Sequence, residues 1–518
     1  MPVSATSPQD PTRRRDERRW LFGLALVTLA SWGRWLATGS LKVDENYPGR
    51  AVGGLLFMML LCGWALLVLG WHGLLARPPE RPRRLALLGL AVAAPMLPML
   101  SNDLFSLFTY GSLAARGHDV YTTAAGLPDS YWYPWVGERW NRVVCVYGPT
   151  TLLAIMPAAL AGQSAWLALA IYKALWFVPL ALVMELSLRR LADRPFFHAF
   201  VWLNPLWIVE GPGQLHADLL GLAAITAGLV LARRGRTGAS LILYALALLG
   251  KYSFAFSGLW FWLSGARSTR ARLVRAARLA AVVVGLGALF FAPFWRGPAT
   301  LTEPLRALGA MNPGGTVTEI VGLVVHFLRG GGIPSPELPV HVALELDRAA
   351  KASTWAATSL VMRVLALAVT ARILWSVLRR PGNEERLALA TGALTVAIAT
   401  LASHRFQCWY LLAALPFFGL VQSDAWRRWW LAIVAVSPTT DFVLVLPKTS
   451  PLLPVWSVLS TGGTVLLFLW ALRARYWTAF APPLDEQPER GQDGHRGQQA
   501  ARLADGRDDA QAANATVQ

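Results

Sequence analysis

The chain has 518 residues, of which 55% are hydrophobic and only 15% charged, and its formal net charge is +18. An ordinary soluble domain carries about 25% charged residues, so the composition excludes a soluble enzyme. The positive charge gathers in short connectors between apolar blocks, such as RRRDERR (13–19), RPPERPRR (77–84) and RRGR (233–236), which is the signature of membrane topology rather than of a nucleic-acid-binding surface.

About 20 apolar residues cross a bilayer as a helix, and the apolar blocks here reach that length repeatedly. Residues 1–19 read as a cytoplasmic N-terminal segment. Trp20–Thr38 is predicted as a retained, outward-going anchor, since arginines precede it and no small-residue cleavage site follows. Ala51–Gly73 returns, Leu85–Leu100 goes out, and residues 101–148 form a first large outer loop. Tyr147–Gly162 is short and carries Pro149 and Pro157, so it is expected as a partly inserted or re-entrant helix. A full crossing there would put the basic RRLADR (189–194) outside. Ser164–Leu188 then goes in, Phe197–Gly211 goes out, and GQLHADLL (213–220) turns outside.

Ser240–Leu263 has basic connectors on both sides, yet it is too short for two full passes at about 1.5 Å of rise per residue. A hairpin of two half-helices broken at Gly250–Lys251 satisfies both constraints, and such breaks are tolerated where they line a cavity. Leu279–Trp295 goes out, and residues 296–353 form a second large outer loop. Thr354–Leu378, Leu387–Leu401, Trp409–Val421, Leu431–Leu446 and Pro454–Leu472 complete the bundle. The expected fold is an all-α polytopic membrane protein of about 12 to 14 transmembrane helices occupying residues 20–480. Residues 481–518 are polar and non-aromatic and read as a disordered cytoplasmic tail. Of three cysteines, Cys62 falls in a crossing and is expected as an inert core residue. Cys145 and Cys408 fall near the outer face, where two free thiols are expected rather than a disulfide.

Ionisable residues at membrane depth or at its border are functional candidates. Asp103 stands just past a crossing, where a hydrated helix-end residue is an equal reading of its position alone, but it heads a loop dense in Tyr, Trp, Arg and Gly, where a carboxylate can accept a proton from an attacking hydroxyl. Lys251 lies at the suspected helix break, where a snorkelling lysine is an equal alternative. His216 and Asp218 share one outer turn; hydrogen bonding to a substrate and simple turn chemistry both stay open, and a metal site needs more ligands than the pattern places. Glu185 and Lys173 are expected to pair toward a cavity, and Asp441 to pair with Arg363 or to line a lipid groove.

The ordered series NDLFSLFTYGSLAARGHDVYTT, VYGPTTLL, NPLWIVEGPGQLHADLL and HRFQCWYLLAALPFF, spanning roughly residues 85–425, resembles the polyprenol-phosphate-mannose-dependent α-1,6-mannosyltransferases of actinobacteria. These are multi-spanning glycosyltransferases of the GT-C fold. The chain departs from that pattern in reading HAD at 216–218 for His-Asn-Asp and in lacking a Pro before Tyr121. The resemblance implies a sugar, mannose above all, moved from a polyprenyl phosphate to a glycan or glycolipid acceptor on the extracytoplasmic face of the plasma membrane. It implies Asp103 as the catalytic base of an inverting displacement. Substrate contacts would come from Arg116, Tyr121, Tyr147, His216, Asp218, Lys251, His404, Arg405, Trp409 and Tyr410. A monophosphate donor needs no divalent bridge, so neither metal nor other cofactor is expected. A lipid-linked saccharide flippase or transporter is the alternative; it would show pseudo-symmetric halves, which the sequence lacks.

Overall fold

The computed structural model describes residues 10–42, 48–126, 131–136, 142–161, 164–191, 195–266, 268–310, 340–379, 383–402, 407–421 and 424–446, with isolated residues from 321 to 328 and from 456 to 466. These belong to one compact unit, Met1–Ala471; a second unit, Leu472–Gln518, lies outside the described residues, and with it the expected tail. The described chain is helical, with a single isolated bridge between Ala124 and Val144. It is an all-α polytopic membrane protein.

Among the described residues, five helices are long and apolar enough to cross a membrane. Two of them open the chain: α1 (Pro11–Thr38) and α2 (Arg50–Ala76). The Asp10 side chain accepts from the Thr12 amide at 2.9 Å and caps α1, and Gly39, at φ 64°, closes it. The two helices touch at backbone distance. A Cβ on Gly23 would sit 2.5 Å from the Gly63 carbonyl, the small-residue contact that membrane helices use where no hydrophobic force drives them together. Cys62 is exposed on α2 instead of packed in the core. Its position on the outer side of the helix corrects the expectation drawn from its apolar neighbours.

The expected crossing Leu85–Leu100 is shorter than its composition suggests. Helix α3 (Pro82–Ala93) stops ahead of Pro95 and Pro98, which cannot continue it. The non-helical run that follows is satisfied by side chains. The Gln214 carbonyl accepts from the amides of Met99 and Leu100 at 2.8 and 3.0 Å, and the Lys173 ammonium donates to the carbonyls of Ala94 and Met96. Lys173 therefore serves this break, while Glu185 pairs with Arg83 and Arg189 at 2.8 and 2.6 Å. The expected Lys173–Glu185 pair is thus replaced by separate partners.

Residues 101–148 hold a helix, not a loose loop. Helix α4 (Asp103–Ala115) is buried from Leu104 through Leu113. Phe105 and Phe108 lie 6.5 and 4.8 Å from the Trp132 ring, and the Tyr110 hydroxyl donates to the Val143 carbonyl at 2.8 Å. Helix α5 (Pro149–Ala159) is short, as its prolines predict. After the long α6 (Ala165–Arg190) the chain breaks repeatedly, through α7 (Pro195–Trp202), α8 (Pro205–Ile208) and a π-turn at Val209–Gly213. Helix α9 (Asp218–Arg233) precedes α10 (Thr237–Gly250), which ends at the predicted break. Lys251 is extended there, and α11 (Gly258–Leu263) resumes after a 3-10 segment. Helix α12 (Thr269–Phe291) has no buried residue and is the most peripheral of the long helices.

The YGPTT stretch locks α5 against the end of α10. The Gly148 amide donates to the Gly250 carbonyl at 2.9 Å, Thr151 Oγ1 donates to the same oxygen at 3.0 Å, and Thr150 Oγ1 donates to the Leu246 carbonyl at 3.0 Å. A Cβ on Gly148 would stand 1.9 Å from the Leu249 carbonyl oxygen, so backbone must move to admit one. Gly148→Ala is expected to cost about 3 kcal/mol, read as a lowered thermal midpoint in detergent. Gly238→Ala is the control: no atom lies within 4 Å of its added methyl, and alanine favours the helix.

Candidate active site

Four stretches far apart in sequence meet beside the break at Lys251. From the first comes Asp103, the opening residue of α4, whose amide donates to Ser101 Oγ at 3.1 Å. The helix N-terminus favours a negative charge there. The Asp103 side chain is 14% exposed.

The second stretch is the turn between the π-turn and α9. Its backbone coils back on itself: Gln214 donates to the Val209 carbonyl at 2.7 Å, Leu215 to Gly211 at 2.7 Å, and His216 to Glu210 at 3.2 Å. Leu215 takes φ 63°, the one left-handed non-glycine among the described residues, a strain that persists where the surroundings over-determine a functional turn. The turn aims His216 inward. Its Nδ1 lies 3.9 Å from Asp103 Oδ2 and its Nε2 lies 3.2 Å from Glu210 Oε2. Despite that second distance, neither Glu210 oxygen nor His216 Nε2 has an aligned hydrogen-bond partner. Burial, reinforced by the nearby Lys251 ammonium, holds the imidazole well below its ordinary range and hence neutral.

The third stretch, Gln407–Ala413, brings Trp409, whose ring stacks on His216 at 3.7 Å between centroids and 15° between planes. The fourth is the break itself. Lys251 forms an ion pair with Asp218, the first residue of α9. Its ammonium also faces the rings of Tyr410 and Tyr147 at 4.7 and 5.7 Å, the arrangement of a cation over aromatic faces. Burial and the charge of Asp103 push the Tyr147 hydroxyl well above its usual range, and the same two causes act on Tyr110 together with Cys145.

Seven of the residues singled out from sequence thus converge: Asp103, Tyr147, His216, Asp218, Lys251, Trp409 and Tyr410. Two do not. Arg116 caps the far end of α4, about 20 Å along the helix from Asp103. Tyr121 packs in a neighbouring aromatic layer, 5.6 Å from Phe291 and 6.0 Å from Phe294. His404 and Arg405 lie outside the described residues. Three residues join that sequence reasoning left out of the site: Glu210, Cys408 and Asp441, with Cys408 Sγ donating to Asp441 Oδ2 at 3.7 Å. Glu210 carried a legible signal, a carboxylate inside the apolar NPLWIVEGPG. Cys145 and Cys408 are both buried and free, as expected. Among the described residues, no three His, Cys, Asp or Glu side chains form a set that could hold a metal ion.

The arrangement supplies a part-buried carboxylate, a neutral imidazole stacked on an indole, and a part-buried ammonium facing two tyrosine rings. That set suits proton abstraction from a hydroxyl next to stabilisation of a departing anion. Residues 19–267 match the family described as "Alpha-(1->6)-mannopyranosyltransferase, N-terminal domain". Over 417 residues, the chain is 26% identical to alpha-(1->6)-mannopyranosyltransferase A of Mycobacterium tuberculosis, covering 76% of this chain and 75% of that protein. It is 28% identical over 176 residues to the protein of the same name from Corynebacterium glutamicum, covering 32% of this chain and 36% of that protein.

Proposed function

We propose that the protein, whose residues 19–267 match the α-(1→6)-mannopyranosyltransferase N-terminal-domain family, is an integral membrane mannosyltransferase. It takes mannose from a polyprenyl phosphate and extends a glycan or glycolipid acceptor on the extracytoplasmic side of the plasma membrane. The donor's isoprenoid chain stays in the bilayer and its head group reaches the site where α4 begins. Asp103 removes the acceptor hydroxyl proton, the hydroxyl oxygen bonds to the anomeric carbon, and the bond from that carbon to the phosphate oxygen breaks with inversion. Polyprenyl phosphate departs with the bonding pair. Lys251 neutralises the departing charge, held in place by Asp218 and flanked by Tyr147 and Tyr410, while the His216–Trp409 stack offers an apolar face to the sugar ring. His404 and Arg405, outside the described residues, are added as phosphate-binding residues on the resemblance alone. No divalent ion is needed to bridge a monophosphate.

The observation that carries this reading is that two part-buried groups of opposite charge, the Asp103 carboxylate and the Lys251 ammonium, both stand close to the neutral His216. The test is purified protein in proteoliposomes, given labelled polyprenyl-phosphate mannose and an α-mannoside acceptor, with linkage analysis of the product. A new α-1,6 bond is expected. Donor crossing the bilayer without any glycosidic bond would establish a flippase instead.

A further inference from the structure

The basic end of α1 holds an open cleft of about 490 Å³ that plays no part in the transfer just described. Arg14, Arg15, Arg18, Arg19 and Phe22 of α1 line it, with Leu66 of α2. The five α1 positions recur at intervals of three and four residues, so they form one stripe along the helix. Positive-inside topology accounts for arginines at this end of α1 but asks nothing of the face they occupy. Here four of the five arginines between residues 13 and 19 share one cleft.

The protein leaves most of that charge uncancelled. Asp16, buried where α1 meets α2, takes Arg19 at 3.5 Å and Arg77 at 3.1 Å. Glu80 pairs with Arg13, which does not line the cleft, and Asp10 caps the helix through the Thr12 amide. Among the described residues, no carboxylate forms an ion pair with Arg14, Arg15 or Arg18. Like charges three and four residues apart on a helix destabilise it, and a bound anion offsets that repulsion. Beyond the arginines the same stripe turns apolar: Phe22 and, two turns further along, Leu29 are exposed, as is Leu69 of α2 one turn from Leu66. A ligand with a negative headgroup and a hydrocarbon chain satisfies both halves, whereas a free phosphate would leave the apolar half bare.

We propose that this cleft binds an anionic phospholipid of the cytoplasmic leaflet, with its phosphate among Arg14, Arg15 and Arg18 and an acyl chain along Phe22 and Leu66. Basic pockets between membrane helices on the cytoplasmic side take lipid headgroups in this way, and the guanidinium fork matches phosphate oxygens in pairs. The charge rule assigns the basic end of α1 to that leaflet. None of these residues belongs to the proposed transfer site, so the lipid site and the transferase reading fail separately.

The test is native mass spectrometry of the full chain in detergent, titrated with phosphatidylglycerol, phosphatidylcholine or inorganic phosphate. Wild type is compared with a triple variant, Arg14→Gln, Arg15→Gln and Arg18→Gln, and with a control carrying Arg234→Gln, Arg236→Gln and Arg270→Gln. The control removes the same charge from exposed arginines of other basic connectors. Each arginine beside an anionic headgroup contributes about a fivefold gain in affinity, so wild type is expected to prefer phosphatidylglycerol to phosphatidylcholine about a hundredfold. The triple variant is expected to lose that preference and the control to keep it.

Equal binding of the two lipids by wild type overturns the proposal. A preference that persists in the triple variant places the lipid elsewhere and also overturns it, as does a preference lost to the same extent in the control, which would make it a matter of net charge. Displacement of phosphatidylglycerol by an equal concentration of inorganic phosphate would give the cleft to a free anion instead. Should the triple variant fail to insert, Arg18→Gln alone is expected to weaken phosphatidylglycerol binding about fivefold, and an unchanged affinity there has the same overturning force.

Discussion

Asp103→Asn is expected to slow mannosyl transfer on the order of 10³-fold while leaving the protein folded, a loss equivalent to about 4 kcal/mol of transition-state stabilisation. The amide fills the same volume at the start of α4 and keeps the Ser101 contact, which involves the Asp103 backbone. What it loses is the capacity to take a proton. The same residue sets the sign of the pH response. A base must be ionised, so transfer is present above the Asp103 pKa and is lost as pH falls through it. On the alkaline side, Tyr110 and Tyr147 are held protonated by burial and by the Asp103 charge, so these hydroxyls add no loss at moderately high pH. Initial rates against pH, with Asp103→Ala beside Asp103→Asn, check both points. Near-wild-type transfer in both variants would remove Asp103 from its role.

Lys251→Met is expected to damage stability and transfer together, and the two losses separate in a double variant. Asp218 is fully buried and its Oδ2 depends on Lys251, while its Oδ1 has no partner. Removing the ammonium leaves an uncompensated buried acid, which costs about 3–5 kcal/mol. Replacing both members by apolar residues of similar volume is often neutral, so Lys251→Met with Asp218→Leu is expected to recover most of the thermal midpoint. Transfer is expected to stay lost, because the ammonium proposed to neutralise the departing phosphate is gone. Recovery of transfer along with stability would reduce the ion pair to a structural element.

Much of this site could be read from residue order. The VYGPTT stretch and the Gly250–Lys251 break were visible as a short proline-bearing helix and a charge-parity conflict, and they contact each other through Gly148 and Thr151. The convergence of Asp103, His216 and Trp409 follows the three segments of the family resemblance. Helix ends were less legible. Hydropathy predicts Leu85–Leu100 as one span because leucine and methionine persist past Pro95, whereas the chain leaves the helix at Ala93 and lets Gln214 and Lys173 satisfy its backbone. Those are tertiary contacts more than 70 residues away, which no local pattern encodes. Arg116 fails for a geometric reason: a loop would have folded it back toward Asp103, and the buried helix α4 carries it away.

The His216–Trp409 stack makes the centre composite. The family match ends at residue 267, and the indole that covers the imidazole arrives from well beyond it. A chain ending there would keep Asp103, His216 and Lys251 but leave the imidazole bare on one side. The segment Cys408–Ala413 therefore forms one side of the proposed site, so a fragment cut at residue 267 would lack part of it.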